Sequence, residues 1–350
     1  MSVIVFTGGG TARHYAPNIA IMEAVKNDFE GIFYIGSENG PERAAMKRLG
    51  VSYYPIATAK LERRITASNA LIPFKLAKGI REAKKILKIL RPDVVFSKGG
   101  YVALPVAIAA HKLKIPLIIH ESDLTIGLAN RIAARYSDLV LTSFESTAKG
   151  IKRAKCVGTP IRSELLKPRN KSIILKKYGF CGDKKVLLVT GGSQGSAAIN
   201  KAIYDDLGAL TERYDVIHLC GKGKARGIKA DGYAEREFAE DMGEVYAIAD
   251  AAITRAGANT LFELAALAIP ALAIPLPKGN SRGDQIENAK FFRDNGLIEA
   301  LFEEDLNGEN LIKALERLES KRNEIIKNCQ KSDYKHADEK IAKEIKRFKK

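Results

Sequence analysis

Tryptophan is absent from the chain, and the four cysteines, Cys156, Cys181, Cys220 and Cys329, are widely scattered with no CxxC pair. Zinc sites and disulfide frameworks need closely spaced or regularly paired cysteines, so neither is predicted. Reduced thiols in the cytoplasm are the plain interpretation. Zinc-finger spacing and the aromatic and basic motif of RNA-recognition domains are also absent, which disfavours nucleic-acid binding.

Long apolar runs are missing as well, and none could span a bilayer as a helix. The N-terminal MSVIVFTGGG has no basic region, and its apolar run has only the length of a strand, so we do not expect a signal peptide. A membrane would therefore be contacted at its surface and not crossed.

Acidic residues are too few to balance the basic ones, since 57 Lys and Arg face 41 Asp and Glu. The formal net charge of +16 predicts an anionic partner, which is nucleic acid, a membrane surface or a phosphorylated substrate. A length of 350 residues exceeds one ordinary core and predicts two domains.

Short apolar runs alternate with helical patterns along the whole chain. This alternation predicts an α/β protein with doubly wound parallel sheets and right-handed crossovers, which bind ligands at the carboxyl ends of their strands. The predicted strands are Val3 to Thr7, Ile32 to Ile35, Val94 to Ser97, Leu117 to His120, Leu139 to Ser143, Val186 to Thr190, Val216 to Leu219, Ala251 to Thr254 and Ala271 to Ile274.

One unit occurs twice, because VIVFTGGGTARHYAPNIA near the N-terminus and VLLVTGGSQGSAAINKA from Val186 share a strand, a glycine turn and a helix. We expect the first helix to begin at Pro17. The repeat predicts two Rossmann-like domains facing a cleft and joined near Thr159 to Lys167. The charged tail from about Leu311 is predicted to be helical with a solvated face.

The two glycine turns, Gly8 to Gly10 and Gly191 to Gly195, could cradle phosphates with backbone N–H groups. Neither has the GxGxxG spacing of dinucleotide sites or the Gly-Lys-Ser/Thr of a P-loop. The alternative is that the glycines serve only tight packing. Their equivalent places in two domains favour phosphate binding.

The stretch from Ile253 to Asn288 carries the strongest site pattern. A strand ends in the small residues Ala256 to Thr260, an amphipathic helix follows, and Pro270 stops it. Glu263 is expected in the first turn of this helix, where its carboxylate could accept hydrogen bonds from sugar hydroxyls. The pattern predicts a nucleotide-diphosphate site, and an ordinary βαβ unit is the alternative.

Two loops of the first domain carry candidate acid or base groups. His14 follows the first glycine turn and is either a base or diphosphate contact or a structural histidine. His120 ends a strand, and Glu121 and Asp123 come after it, where a carboxylate could contact substrate or act as a base.

The segment from Thr58 to Arg91 joins an apolar tip, Ala70 to Phe74, to a helical stripe within a basic field. This combination suits docking to an anionic membrane surface, and a crossover helix with a solvated basic face is the alternative. The basic residues are Lys60, Arg63, Arg64, Lys75, Lys78, Arg81, Lys84, Lys85 and Lys88.

Six motifs together resemble the MurG family of N-acetylglucosamine (GlcNAc) transferases. In chain order they are GGGTARH, FSKGGYVALPVAIAA, HESDLTIGLANR, GTPIR, VTGGSQGSAAIN and TRAGANTLFELAAL with GDQIENA. The resemblance implies the GT-B fold and transfer of GlcNAc from UDP-GlcNAc to the 4-hydroxyl of undecaprenyl-diphosphate-linked muramoyl-pentapeptide. It implies inversion of the anomeric centre, no cofactor and no metal.

The resemblance also implies where the protein works and how its domains divide the task. The protein would be peripheral, on the cytoplasmic side of the plasma membrane, with other cell-wall synthesis proteins as further partners. Residues 1–162 would bind the acceptor and the membrane, and residues 163–336 would bind UDP-GlcNAc. The C-terminal helix, 337–350, would pack back on the first domain.

The family's motifs assign roles to matching positions. His14 and Asp123 are the catalytic candidates. The acceptor diphosphate would contact Gly9, Gly10, Gly99, Gly100 and Tyr101. UDP-GlcNAc would contact Thr11, Ala12, Arg13, Arg162, Ser193, Ala258, Asn259, Thr260, Glu263 and Gln285.

One position departs from the family, which usually has glycine where this chain has Arg13. If that glycine takes positive φ, an arginine there is strained. Two alternatives therefore stand beside the family's reaction. One is a related GT-B transferase with another lipid or natural-product acceptor, and the other is a membrane-bound scaffold that has lost catalysis through Arg13.

Overall fold

The computed structural model describes residues 2–59, 72–192, 194–279 and 283–350, with the side chains of Ala12 and Arg13 outside the description. The chain forms two compact units. The first runs from the N-terminus to Pro160 and includes His336–Lys350, and the second is Ile161–Lys335. The boundary predicted after residue 162 stands two residues beyond this division.

The first unit contains a seven-stranded parallel sheet in the order β3-β2-β1-β4-β5-β6-β7. Its central strands read as continuous apolar runs because helices cover both faces. β3 and β7 escaped prediction, since β3 has the half-exposed pattern of an edge strand and β7 has only three residues. The strands are β1 Val3–Thr7, β2 Gly31–Ser37, β3 Ser52–Ile56, β4 Val94–Ser97, β5 Leu117–Glu121, β6 Leu139–Thr142 and β7 Ala154–Cys156.

Helices pack on both faces of this sheet. α1, α2 and the C-terminal helix (Ala337–Lys346) cover the face that presents Ile4 and Phe6. α3, α4 and α5 cover the face that presents Val5. The helices are α1 Ala12–Val25, α2 Pro41–Arg48, α3 Ile72–Leu90, α4 Ala103–Lys112, α5 Leu128–Ala133 and α6 Glu145–Lys149.

Helix α1 begins at Ala12, so the predicted start at Pro17 is wrong. Pro17 lies inside the helix, where its missing N–H removes one helical hydrogen bond. Because α1 starts directly after the glycine turn, its N-terminus lies at the carboxyl end of β1. Within the described part of the chain, we find no helix that is both long and apolar enough to span a membrane.

The second unit repeats the plan with a six-stranded parallel sheet in the order β10-β9-β8-β11-β12-β13. β10 carries polar residues and β13 has two residues, which explains why neither was predicted. The strands are β8 Lys185–Thr190, β9 Tyr214–Leu219, β10 Tyr233–Arg236, β11 Ala251–Thr254, β12 Ala271–Ala273 and β13 Glu299–Ala300.

The helices of the second unit are α7 Lys171–Tyr178, α8 Ala197–Asp205, α9 Leu207–Arg213, α10 Met242–Ile248, α11 Ala258–Ala266, α12 Asp284–Asp294, α13 Gly308–Ser320 and α14 Arg322–Lys331. The tail is helical, as predicted, and it has an exposed charged face, but its helices also have a buried face. Leu311 and Leu315 of α13 are buried, and so are Ile341 and Ile345 of the C-terminal helix. Charges on one face of each helix hid the narrow apolar stripe on the other.

Both sheets reverse their strand order at one point, between β1 and β4 in the first unit and between β8 and β11 in the second. Open α/β sheets bind ligands at the carboxyl ends of the strands beside such a switch point. The loops that follow these four strands, together with the first turns of the helices after them, contain most of the predicted site residues.

Candidate active site

The first unit brings two glycine turns into contact at its switch point. Gly10, Gly99 and Gly100 have φ of 83°, 87° and 82°, a region that disfavours side chains. A Cβ on Gly100 would lie 2.7 Å from the Gly9 carbonyl oxygen and 3.3 Å from His14 Nδ1. A Cβ on Gly10 would overlap the ring of Tyr101. The predicted acceptor-diphosphate residues therefore form one cluster.

The carboxylate of Glu42, on α2, holds part of this cluster in place by hydrogen bonds. It is fully buried and accepts hydrogen bonds from the Gly10 N–H at 3.1 Å, the Ser37 N–H at 3.1 Å and the Ser37 hydroxyl at 2.5 Å. Burial, with Glu42 as a second cause, raises the pKa of Tyr101, which keeps its phenol protonated. The sequence analysis did not identify Glu42. The available signal was its place directly after Pro41, where an acidic residue beside a proline is typical of the start of a helix.

His14 lies in the first turn of α1, beside the Gly100 turn. Its Nδ1 is 2.8 Å from the Thr11 hydroxyl, and its N–H donates to the Thr11 carbonyl at 3.1 Å. Arg13 belongs to the same helical turn, whose right-handed backbone suits any L side chain. The strain expected for a positive φ at Arg13 therefore does not arise.

The loop after β5 is held by Glu121, which was a candidate acid or base. Its carboxylate accepts from the Asp123 N–H at 3.1 Å, the Gly127 N–H at 2.9 Å and Asn130 Nδ2 at 3.0 Å. These bonds engage both oxygens and hold the loop in place. Asp123 follows in the same loop and is 8% exposed.

In the second unit, the turn after β8 also depends on glycine. Gly195 has φ of 64°, and a Cβ there would overlap the Cys220 carbonyl oxygen. Ser196 caps α8 by accepting from the Ile199 N–H at 3.2 Å. Ser193, the predicted donor contact, lies outside the described residues.

Arg255 joins the strand ends around this second switch point. Its Nη1 donates to the carbonyls of Ile274 and Pro275 at 3.1 and 3.3 Å, and its Nη2 donates to Ser196 Oγ at 2.7 Å and pairs with Glu303. These bonds fix the turn from which α11 begins. Sequence reasoning assigned Arg255 no role, because its partners come from separate parts of the chain.

Ala258, Asn259 and Thr260 form the first turn of α11, and the N-terminus of a helix favours an anion. Glu263 lies in the second turn and not in the predicted first, because the helix begins at Ala258. The prediction placed the carboxylate one turn too close to the helix terminus.

The carboxylate of Glu263 is mostly buried and held from two sides. Oε1 is 3.3 Å from Arg162 Nη2, and Oε2 accepts from the Tyr246 hydroxyl at 3.1 Å. Burial raises the pKa of Glu263, against the opposing effects of Arg162 and Tyr246. The contact brings together Arg162 and Glu263, which are 101 positions apart and were both predicted to bind UDP-GlcNAc.

Gln285 lies on α12, and its Oε1 accepts from the Leu276 N–H at 3.0 Å. The side-chain amide is thereby oriented at the end of the loop that follows β12. Among the residues described, no three His, Cys, Asp or Glu side chains group as a metal site would require.

Comparison with known proteins places this geometry in a family. Residues 4–142 match the glycosyltransferase family 28 N-terminal domain, and residues 186–345 match the family's C-terminal domain. The chain belongs to the MurG group of glycosyltransferase family 28. It is therefore a glycosyltransferase.

Curated relatives are similar in sequence to this chain over almost its full length. A protein of Clostridium botulinum is 44% identical over 353 residues, with 99% of both chains covered. One of Staphylococcus aureus is 43% identical over 345 residues, with 97% of both covered. Each is named UDP-N-acetylglucosamine--N-acetylmuramyl-(pentapeptide) pyrophosphoryl-undecaprenol N-acetylglucosamine transferase.

Solved structures confirm the expected GT-B fold. The crystal structure of Acinetobacter baumannii MurG is 24% identical with a TM-score of 0.76, covering 99% of this chain and 100% of that chain. The glycotransferase of kitacinnamycin is 15% identical with a TM-score of 0.76, covering 99% of both chains.

Proposed function

We propose that this glycosyltransferase moves GlcNAc from UDP-GlcNAc to the 4-hydroxyl of a muramoyl-pentapeptide carried on undecaprenyl diphosphate. The observation that carries the proposal is the contact of Glu263 with Arg162. The family's motifs assign both residues to binding of UDP-GlcNAc, and their contact lies near the N-terminus of α11. The names and the full-length similarity of the curated relatives support the same reaction.

On the donor side, the carboxylate of Glu263 accepts hydrogen bonds from the ribose hydroxyls, and Gln285 contacts the GlcNAc. The N–H groups of Ala258, Asn259 and Thr260 stabilise the diphosphate, together with Arg162. Charge develops on this diphosphate as the glycosidic bond breaks. Fixed helix N-terminal dipoles and a guanidinium can stabilise that charge without a metal.

On the acceptor side, the backbone of Gly9, Gly10, Gly99 and Gly100 cradles the acceptor diphosphate. A cavity of about 490 Å³ opens beside Gly10 and Tyr101, and Lys75 and Lys78 of α3 contribute to its lining. Positive charge at this edge of the sheet favours a diphosphate and disfavours a neutral ligand.

The reaction proceeds as a single displacement. His14 accepts the proton of the acceptor hydroxyl, whose oxygen attacks the anomeric carbon while the bond to UDP breaks. An imidazole titrates near neutral pH, and the Thr11 hydroxyl fixes the ring by its Nδ1. Asp123 faces the reaction centre and positions the acceptor.

Helix α3 supplies a surface for peripheral attachment to an anionic membrane. Phe74 and Ile89 are 75% and 78% exposed and lie on one face of the helix. Exposed basic side chains occupy the same face between them and suit anionic headgroups. They are Lys78, Arg81, Lys85 and Lys88. The predicted apolar residues 70 and 71 and the basic residues 60, 63 and 64 lie outside the described part of the chain.

The proposal is tested by transfer from labelled UDP-GlcNAc to a short-chain muramoyl-pentapeptide diphospholipid, with Arg13→Gly as the matched variant. We expect label in the acceptor with both proteins, since the backbone at Arg13 is unstrained. Label that appears only with Arg13→Gly would indicate an impaired site. Binding of UDP-GlcNAc without transfer by either protein would refute the acceptor assignment.

A further inference from the structure

The buried ammonium of Lys98 lies next to the glycines and Tyr101 that are proposed to bind the acceptor diphosphate. Lys98 follows β4 and precedes the Gly99 turn, and its residue is only 3% exposed. Its Nζ is 2.5 Å from His120 Nδ1 and hydrogen-bonds to the Ser122 hydroxyl. Its backbone N–H donates to the Thr7 carbonyl at 3.0 Å. One residue thus connects β1, β4, β5 and the loop that carries Asp123.

The direction of these hydrogen bonds follows from the second nitrogen of His120. Nε2 is 2.8 Å from the Gly158 carbonyl oxygen, which can only accept, so Nε2 carries the hydrogen. Burial, and then Lys98, lowers the pKa of His120 well below its ordinary value, so the ring is neutral. Nδ1 is therefore an acceptor, and the Lys98 ammonium donates to it.

A charged residue at this place is costly. Burial lowers the pKa of Lys98 to about 7, although Glu121 and Asp123 act in the opposite direction. A methionine would fill a similar volume without the desolvation cost, and apolar replacement of buried charges is often neutral or stabilising. A charge in this position is better explained by the acceptor site beside it than by stability.

The neighbouring turns show what the ammonium holds in place. A Cβ on Gly99 would lie 2.5 Å from Asn130 Oδ1, and Asn130 Nδ2 donates to the His120 carbonyl at 3.2 Å. The Gly99 turn therefore packs against the β5 loop and, through Gly100, against His14. Movement of Ser122 would displace Asp123 relative to both turns.

We propose that Lys98 is a positioning residue for the acceptor, because its ammonium fixes Ser122 and Asp123 relative to the Gly99–Tyr101 turn. The inference rests on the proposed function. The ionisable groups that face the ammonium are His120, Glu121 and Asp123. When Lys98 loses its proton, its hydrogen bond to the Ser122 hydroxyl weakens and the positive charge next to the bound acceptor substrate disappears.

The test compares Lys98→Met, Ser122→Ala and Lys152→Met, a matched loss of an exposed lysine. We expect Lys98→Met to lower kcat/KM for the acceptor on the order of 10- to 100-fold, because a misplacement of about 1 Å caused by a remote substitution can cost about 100-fold. The Kd for UDP, measured by calorimetry, should stay unchanged. Ser122→Ala should show a smaller fall, and Lys152→Met none.

The pH profile separates positioning by charge from simple packing. kcat/KM reports groups of the free enzyme, so the wild type should lose acceptor efficiency as the pH rises through about 7, where Lys98 deprotonates. Ser122→Ala should keep this decline and Lys98→Met should lack it. Lys98→Met with the wild-type efficiency, or with the same decline, would overturn the inference. Failure of the wild type itself to transfer would refute the proposed function, and the role of Lys98 with it.

Discussion

Replacement of Glu263 by glutamine tests the donor site with the smallest structural change. The glutamine keeps the size of the side chain but removes the charge that faces Arg162 and the Tyr246 hydroxyl. Hydrogen bonds to charged groups contribute about 1.5–3 kcal/mol net. If Glu263→Gln loses this whole contribution to UDP binding, the Kd for UDP should rise by roughly 10- to 150-fold.

The measurement is calorimetric titration with UDP and with its 2′,3′-dideoxy analogue. The wild type should discriminate against the analogue, whereas Glu263→Gln should bind both ligands with similar affinity. Glu316→Gln is the matched control, because Glu316 forms an exposed ion pair with Arg213 at 2.8 Å. An unchanged Kd for UDP in Glu263→Gln, or undiminished discrimination against the analogue, would refute the ribose assignment.

The pH dependence of the same titration supplies an independent check. Because burial raises the pKa of Glu263, its carboxylate gains a proton at a higher pH than an ordinary glutamate does. A protonated carboxyl is a weaker acceptor, so the affinity of the wild type for UDP should fall as the pH is lowered. The affinity of Glu263→Gln should fall less over the same range, since only the ligand then titrates.

Three further predictions follow from the first unit. Glu42→Gln should lower the free energy of unfolding by about 1–3 kcal/mol and raise KM for the acceptor, because Gly10 and Ser37 lose a charged partner, and urea denaturation with kinetics checks both effects. Lys98 keeps its proton up to a pH of about 10.5 in the unfolded chain but only up to a pH of about 7 in the folded chain. Between these pH values, the free energy of unfolding of the wild type should therefore rise by up to about 1.4 kcal/mol per pH unit relative to that of Lys98→Met. Denaturation of both proteins at pH 7 and pH 9 measures this, and the same change in both would contradict the prediction. Phe74→Ser should weaken sedimentation with vesicles containing anionic lipid and leave transfer to a short-chain acceptor unchanged, whereas equal sedimentation would remove α3 from the membrane surface.

The central strands were predictable because buried parallel strands read as continuous apolar runs. β1, β4 and β11 have the predicted bounds, Val3–Thr7, Val94–Ser97 and Ala251–Thr254. Edge strands lack that signal, which is why β3 and β13 were missed. The glycine turns were equally visible, because each is a cluster of glycines directly after an apolar run. In the structure, Gly8, Gly10, Gly192 and Gly195 have the positive φ that favours glycine.

The buried polar partners were not predictable, because each depends on contacts between distant segments. Lys98 meets His120 across 22 positions, and Arg255 meets Ser196 across 59. Nothing in the sequence near Glu42 shows that its carboxylate ends beneath Gly10. These contacts exist only in the folded structure, so the sequence pattern alone did not reveal the roles of the residues.

The configuration of the transferred sugar tests the proposed reaction most directly. After incubation with UDP-GlcNAc and the short-chain acceptor, NMR of the purified product gives the new linkage and its anomeric configuration. A single displacement from the α-linked donor predicts one GlcNAc, β-linked to the 4-hydroxyl of the muramoyl unit. An α-linked product, another linkage position, or release of free GlcNAc alone would contradict it.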